Sequence, residues 1–191
     1  GSDNEFVVVN VSTPSSPTLV GSMDLGASGN EVVVSGNFAY AASAHDSREV
    51  QVINVSVPSS PSLAGSLDLS GTTDATTVAI VGTTLLVGRG SDVYTVNVST
   101  PGSPSLLGSV NVSDTVNDIA LTFGNSNTLA FLATSSNSSE FQVVDIASPA
   151  SPSVVGSVNV SGNTNLLGIA YSEVLDRAFG VGASNTEEFV V

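Results

Sequence analysis

Four copies of one proline-bearing stretch partition this chain: NVSTPSSPTLVGSMDL (10–25), NVSVPSSPSLAGSLDL (54–69), NVSTPGSPSLLGSVNV (97–112) and DIASPASPSVVGSVNV (145–160). All eight prolines fall inside them, at Pro14, Pro17, Pro58, Pro61, Pro101, Pro104, Pro149 and Pro152. Matching prolines are separated by 44, 43 and 48 residues (14→58, 58→101, 101→149). A fixed period of that length marks a repeated supersecondary unit, so the fold must be built from copies of one set of elements.

The contents of one period identify the unit. After the first motif come a turn at 26–30, the apolar run Val32–Val34, a Ser-Gly-Asn turn (35–37), Phe38–Ala41, a polar loop (44–48) and Val50–Val55, where the cycle restarts. Each period therefore holds four short strands separated by turn residues. The second repeat supplies Thr77–Val81, Thr84–Val87 and Val93–Val98; the third supplies Ile119–Phe123, Leu129–Ala133 and Phe141–Ile146. The last period gives Leu167–Tyr171 and Ala178–Val181. Length varies only in turns, as at Gly124–Asn127 and Thr134–Ser139, where a repeated unit tolerates insertion.

Several strands are apolar at successive positions, which requires cover on both faces. Val and Thr dominate the strands because Cβ branching packs well on a pleat. Four-stranded units of this length, covered on both faces, are the blades of an all-β propeller: four repeats, antiparallel blades, one domain over 1–191 or a window of a longer repeat protein. Proline cannot donate to a ladder, so Pro17 and its equivalents belong at the first residue of an outer, edge strand, where they also discourage edge-to-edge pairing. Gly21, Gly65, Gly108 and Gly156 recur four residues later, which predicts a bulge or a close backbone approach.

The pattern x-V-V-D-V-S-x-P-x-x-P-x-L-V-G-S, preceded by V-x-V-S-G-N-x-A-Y-x-A, resembles the LVIVD-repeat β-propellers of bacterial and archaeal surface proteins. Residues 30–42, NEVVVSGNFAYAA, are the nearest copy of its second half. The resemblance spans essentially the whole chain and transfers no catalytic residue. It implies an exported, often modular protein whose propeller is an interaction scaffold: a structural or adhesive module, in the extracellular space or on the cell surface, polymerised or embedded in a larger assembly. A propeller that recognises a glycan or a protein through its loops is the alternative.

The two ends of the chain are complementary. Val7–Leu25 reads as the third and fourth strands of a blade and residues 166–183 as the first and second; joined, they close a four-bladed ring. Yet Glu188-Phe189-Val190-Val191 repeats the opening Glu5-Phe6-Val7-Val8, so a further third strand begins at 188. That strand is expected to pair within the ring or with a neighbouring subunit by strand addition, to belong to a longer repeat protein of which this is a window, or to mark two chains that meet as a larger ring.

Net charge is −14, with Arg48, Arg89 and Arg177 the only basic residues apart from His45. That balance disfavours nucleic acid, whose phosphates need a basic footprint, and anionic membrane surfaces. No apolar run approaches a membrane span, and without cysteine there is neither a disulfide nor a thiolate metal site. No cofactor motif is present, and the expected partner is a protein, this one included, or a glycan. His45-Asp46 could orient a base, but no G-x-S-x-G nucleophile accompanies it; a solvated loop histidine is expected, and no enzymatic role. Asp74, Asp114 and Asp118 lack the D-x-[DN]-x-[DN]-G spacing of a calcium loop and are expected to cap turns rather than hold a metal. Asp24, Asp68, Asn111 and Asn159 share one repeat position, where a structural role is expected. Sequons at Asn10, Asn54, Asn97, Asn111, Asn137 and Asn159 are candidate glycan acceptors in an exported protein, with Asn137 in the polar loop 135–139 the most accessible.

Overall fold

A computed structural model describes residues 4–122, 128–160, 165–183 and 189–190. The turn expected at Gly124–Asn127, the end of the strand at Phe123, and Glu188 and Val191 lie outside the described residues.

Three complete four-stranded antiparallel blades run in order along the chain. An incomplete sheet precedes them: β1 (Phe6–Asn10) paired with β2 (Thr18–Met23). The first blade holds β3 (Gly29–Ser35), β4 (Phe38–Ser43), β5 (Val50–Asn54) and β6 (Ser62–Leu67). The second holds β7 (Ala75–Val81), β8 (Thr84–Arg89), β9 (Asp92–Asn97) and β10 (Ser105–Asn111). The third holds β11 (Val116–Leu121), β12 (Leu129–Thr134), β13 (Phe141–Asp145) and β14 (Ser153–Val158). The last sheet has three strands: β15 (Leu166–Ser172), β16 (Arg177–Gly182) and β17 (Phe189–Val190).

The second proline of each motif immediately precedes an outer strand, as its missing N–H demands. The register between third and outer strands slips by one residue at the same place in every repeat, at Val8/Val9, Val52/Ile53, Leu106/Gly108 and Val143/Val144. The repeat glycine stands beside each of these bulges.

The sheets stack face to face, which makes the architecture propeller-like. Between the first and second blades, Tyr40, Val50 and Val52 pack on Val78, Leu85, Val87 and Val96. Between the second and third, Leu86 and Val93 pack on Val116, Ile119 and Leu132. Phe6 and Leu25 of the leading hairpin cover Ala39, Ala41 and Ile53 on the other face of the first blade. Burying such side chains contributes about 1.5–3 kcal/mol each, which accounts for the continuous apolar runs along the strands. Strands β3, β7, β11 and β15 together line an open cavity of about 510 Å³.

β7 packs on β3, β11 on β7 and β15 on β11, but β15 has no equivalent packing on β3 among the described residues. The expected closure of a ring by strands from both chain ends is therefore not what the pairings give. β1 and β2 form their own sheet on the first blade, and the free edge of β16 is taken by β17, through Gly180↔Val190 and Val181↔Phe189. Polar side chains supply one physical reason. Asn30 and Glu31 reach from the first blade to Ala75 C=O and Val78 N–H of the second, and Asn117 and Asp118 reach from the third to Leu166 C=O and Ile169 N–H of the last. At the corresponding place in β15 stand Leu167 and Gly168, which have no group to offer a following blade.

Candidate interaction surface

At three places, Gly21, Gly65 and Gly108, the proline turn of one repeat closes over the glycine of the repeat before. A Cβ placed on Gly65 would lie 2.5 Å from the Pro101 carbonyl oxygen and 2.9 Å from the Gly102 carbonyl carbon. On Gly108 it would lie 2.7 Å from Ala150 O and 3.0 Å from Pro149 O, and on Gly21 it would collide with Pro58 O. The hydroxyl of Thr95 fastens one such joint by donating to Pro149 C=O, across the gap between the second and third blades. The turn thus lies against the preceding blade's backbone, beyond its expected part in capping an edge.

A second device recurs from repeat to repeat, a glutamate that caps the end of the motif. Glu5, Glu49 and Glu140 each accept, through Oε2, the backbone N–H of the residue ending their motif: Leu25 at 2.9 Å, Leu69 at 3.0 Å and Val160 at 3.1 Å. Asp92 occupies this place in the second blade; its side chain is one carbon shorter, and Val112 N–H donates instead to Ser91 C=O at 2.8 Å. Gln51 and Gln142 donate to Leu25 C=O and Val112 C=O of the preceding sheet. Glu49 is 1% exposed and Glu140 is fully buried. Arg89 lies 3.9 Å from Glu49 Oε1, too far for a hydrogen bond but close enough to balance its charge, and donates to the carbonyls of Thr73 and Ser70. The signal was available: a carboxylate stands five residues before each of Asn10, Asn54, Asn97 and Asp145.

The residues singled out in the sequence fall at turns. Arg48 donates to His45 Nε2 at 2.7 and 3.2 Å through two nitrogens, so the imidazole's partner is a guanidinium; Asp46 is exposed. Asp24, Asp68 and Asn111 accept the N–H two residues on, from Gly26, Ser70 and Ser113, closing a turn in which those three residues have positive φ. Asn159 is exposed, and the residues to which a matching bond would run lie outside those described. Asp114 accepts from Thr115 N–H and Asp118 from Ile119 and Ile169, while Asp74 is exposed. No three carboxylate or histidine side chains converge among the described residues. Of the sequon asparagines, Asn10, Asn111, Asn137 and Asn159 are exposed, and Asn54 and Asn97 are half-buried. Asn10, Asn54 and Asn97 also accept the N–H of the serine two residues on.

Two apolar faces are left uncovered at opposite ends of the stack. Val9 and Val11 on the hairpin are 47% and 66% exposed, whereas Ile53, Val96 and Val144, at the repeat position of Val9, are fully buried. At the other end Val155 and Val158 are 57% and 49% exposed, whereas Ala64 and Leu67, their counterparts in the first blade, pack on the second. Beside Val158 runs an open groove of about 520 Å³ lined by Phe131, Phe141, Leu166, Tyr171 and Ala178. The Phe131 ring stacks on Phe141 and lies tilted against Tyr171. The Tyr171 hydroxyl donates to Asp176 at 2.9 Å, and this bond first, with burial and nearby carboxylates, holds its pKa above the usual phenol value.

A family profile described as LVIVD repeat matches residues 1–25, 26–69 and 130–160, just over half of the sequence. Among solved structures, the computationally designed Ika4 protein is similar with a TM-score of 0.61 at 13% identity, over 86% of this chain and 89% of that one. The computationally designed Ika8 protein is similar with a TM-score of 0.65 at 14% identity, over 96% of this chain and 54% of that one. At such identities the likeness is one of fold. No curated protein matches the sequence.

Proposed function

This chain belongs to the LVIVD-repeat family, and from that premise we propose that its propeller-like module is a structural or adhesive component outside the cell or on its surface, one that associates with copies of itself. The observation that carries this reading is the pair of uncovered apolar faces, at Val9–Val11 and at Val155–Val158: Ile53, Val96 and Val144 at the position of Val9 are buried, and Ala64 and Leu67 of the first blade, at the positions of Val155 and Val158, pack on the second. A surface rich in Ser, Thr and Asn, without lysine or cysteine, supports a solvent-facing, exported protein, as do four exposed sequon asparagines. The four repeats correspond in this reading to four blades, the last completed by strand addition. The role is non-catalytic; turnover of an ester, phosphate or glycoside abolished by His45→Ala would refute that. Light scattering over a concentration series, with electron microscopy of the particles and protease shaving of intact cells, tests the assembly and its location. A chain that stays monomeric at high concentration, or is protected from protease on intact cells, refutes the corresponding part.

A second reading rests on the groove beside Val158. The rings of Phe131, Phe141 and Tyr171, with Asp176 and Arg177 also lining it, offer stacking surfaces and polar groups suited to a sugar ring. A glycan-array hit lost in Tyr171→Ala would favour it.

A further inference from the structure

We propose that the β1–β2 hairpin of a second copy of this chain completes the last blade, with the Pro14–Pro17 turn of that copy seated over Gly156. This rests on the self-association reading above and specifies the surfaces that meet.

The argument comes from the three joints inside the chain. Gly21, Gly65 and Gly108 are each closed over by the next proline turn, at Pro58, Pro101 and Pro149, and each would clash with it if given a Cβ. Gly156 holds the same place in β14 beside the same bulge, yet a Cβ there would meet only the side chain of Val143, at 3.9 and 4.0 Å. No local contact requires glycine at 156. The turn at Pro14 is the converse case. Pro104 and Pro152 are buried against the preceding blade and Pro61 is half-buried, but Pro17 is exposed. Val9 and Val11 flank that turn on the face that Val96, Val98, Val144 and Ile146 bury in later repeats. One end thus carries an empty socket and the other an unseated plug, each with its own apolar flank.

A second copy fits better than the chain's own hairpin. Phe6, Met23 and Leu25 hold the hairpin against the first blade, and among the described residues β1 and β2 pair with each other and not with β15 or β16. On β16, β17 pairs through Gly180↔Val190 and Val181↔Phe189, and the last sheet has no fourth strand among the described residues. The hairpin's Glu5-Phe-Val-Val8 has the same sequence as residues 188–191 and brings an outer strand with it. Because Leu167 and Gly168 replace the polar pair of the innermost strand, the contact would be carried by the outer halves of the blades. Plug and socket lie at opposite ends, so the contact is head-to-tail and propagates into a filament or a larger ring.

Two variants test this. Gly156→Ala adds a methyl group where the isolated chain has room, so the melting temperature of dilute protein should hold while self-association weakens by about tenfold or more, the scale of an overpacked contact. In Ser15→Cys/Val155→Cys, the thiols take the places of Gly102 and Ala64, which approach closely across an internal joint. In a chain with no other cysteine, a short bismaleimide should give a ladder of covalent multimers. Assembly that is indifferent to Gly156→Ala and gives no ladder overturns the plug-and-socket contact but leaves self-association standing. A crosslink formed only within monomers shows ring closure by the chain's own hairpin and overturns the second copy. Monomers at every concentration, without crosslinks, remove both proposals.

Discussion

Adding one methyl group to each of the repeat glycines is a sharp test of how the blades are held together. At Gly65 the new Cβ would stand 2.5 Å from Pro101 O, and at Gly108 2.7 Å from Ala150 O, distances that real Cβ atoms do not adopt. The obstructing atoms are backbone, so relief requires the turn to lift away from the preceding blade. Overpacking of this kind costs about 1–3 kcal/mol, and a rigid carbonyl belongs near the upper end. Against that, alanine in place of glycine in a strand regains about 0.5–1 kcal/mol of chain entropy. Gly65→Ala and Gly108→Ala should thus lose about 2 kcal/mol net, which for a domain of this size lowers Tm by about 4–8 °C. Gly156→Ala has the entropy gain without the clash and should hold or slightly raise Tm. Calorimetry on dilute, monomeric protein measures all three. If Gly65→Ala and Gly156→Ala shift Tm alike, the joint between turn and glycine is not what holds neighbouring blades, and the reasoning fails.

Other perturbations separate the remaining interactions. Glu49→Ala strands Arg89 and the Leu69 N–H and should cost about 3–5 kcal/mol, whereas Glu140→Gln, which keeps an acceptor for Val160 and has no cation to strand among the described residues, should stay within about 1 kcal/mol in urea unfolding. Burial raises the pKa of the Tyr40 hydroxyl above 10.0, so its stabilising contribution is complete below that pH and is lost as pH rises through the raised value; Tyr40→Phe should flatten the alkaline fall in Tm. Ser70 and Ser113 sit at φ 61 and 70, where Gly26 stands in the first repeat, so Ser70→Gly should stabilise by about 0.5 kcal/mol in the same unfolding assay.

The periodic part of the fold was legible because each cue is local. A proline can begin an outer strand but not lie in a ladder, and Pro17, Pro61, Pro104 and Pro152 mark those strands to the residue. The glycines announced a close approach, but their partner lies in the next repeat, and only stacking the blades reveals it. Glu49 and Glu140 are marked in the sequence only by their spacing from the motif, because each caps an N–H twenty residues away and that partner is seen only once the blade is folded. The ends are less legible for a related reason. Strand roles can be counted along a sequence, and counting joins the hairpin to β15 and β16, whereas the described pairings keep them in separate sheets. The angle between blades depends on contacts such as Asn117 to Leu166, and their replacement by Leu167 and Gly168 was visible but had no meaning until the contact was known.

The joints also bear on how the protein yields to force. Every fastening described, whether turn on glycine, glutamine on carbonyl or innermost polar pair, links a repeat to the one directly before or after it in sequence. Stability in such a chain is approximately a sum of unit and nearest-neighbour terms. Tension applied along a string of these modules would therefore peel blades from one end in sequence, each releasing a single repeat while the rest keep their contacts, so the material would lengthen in steps before it parts.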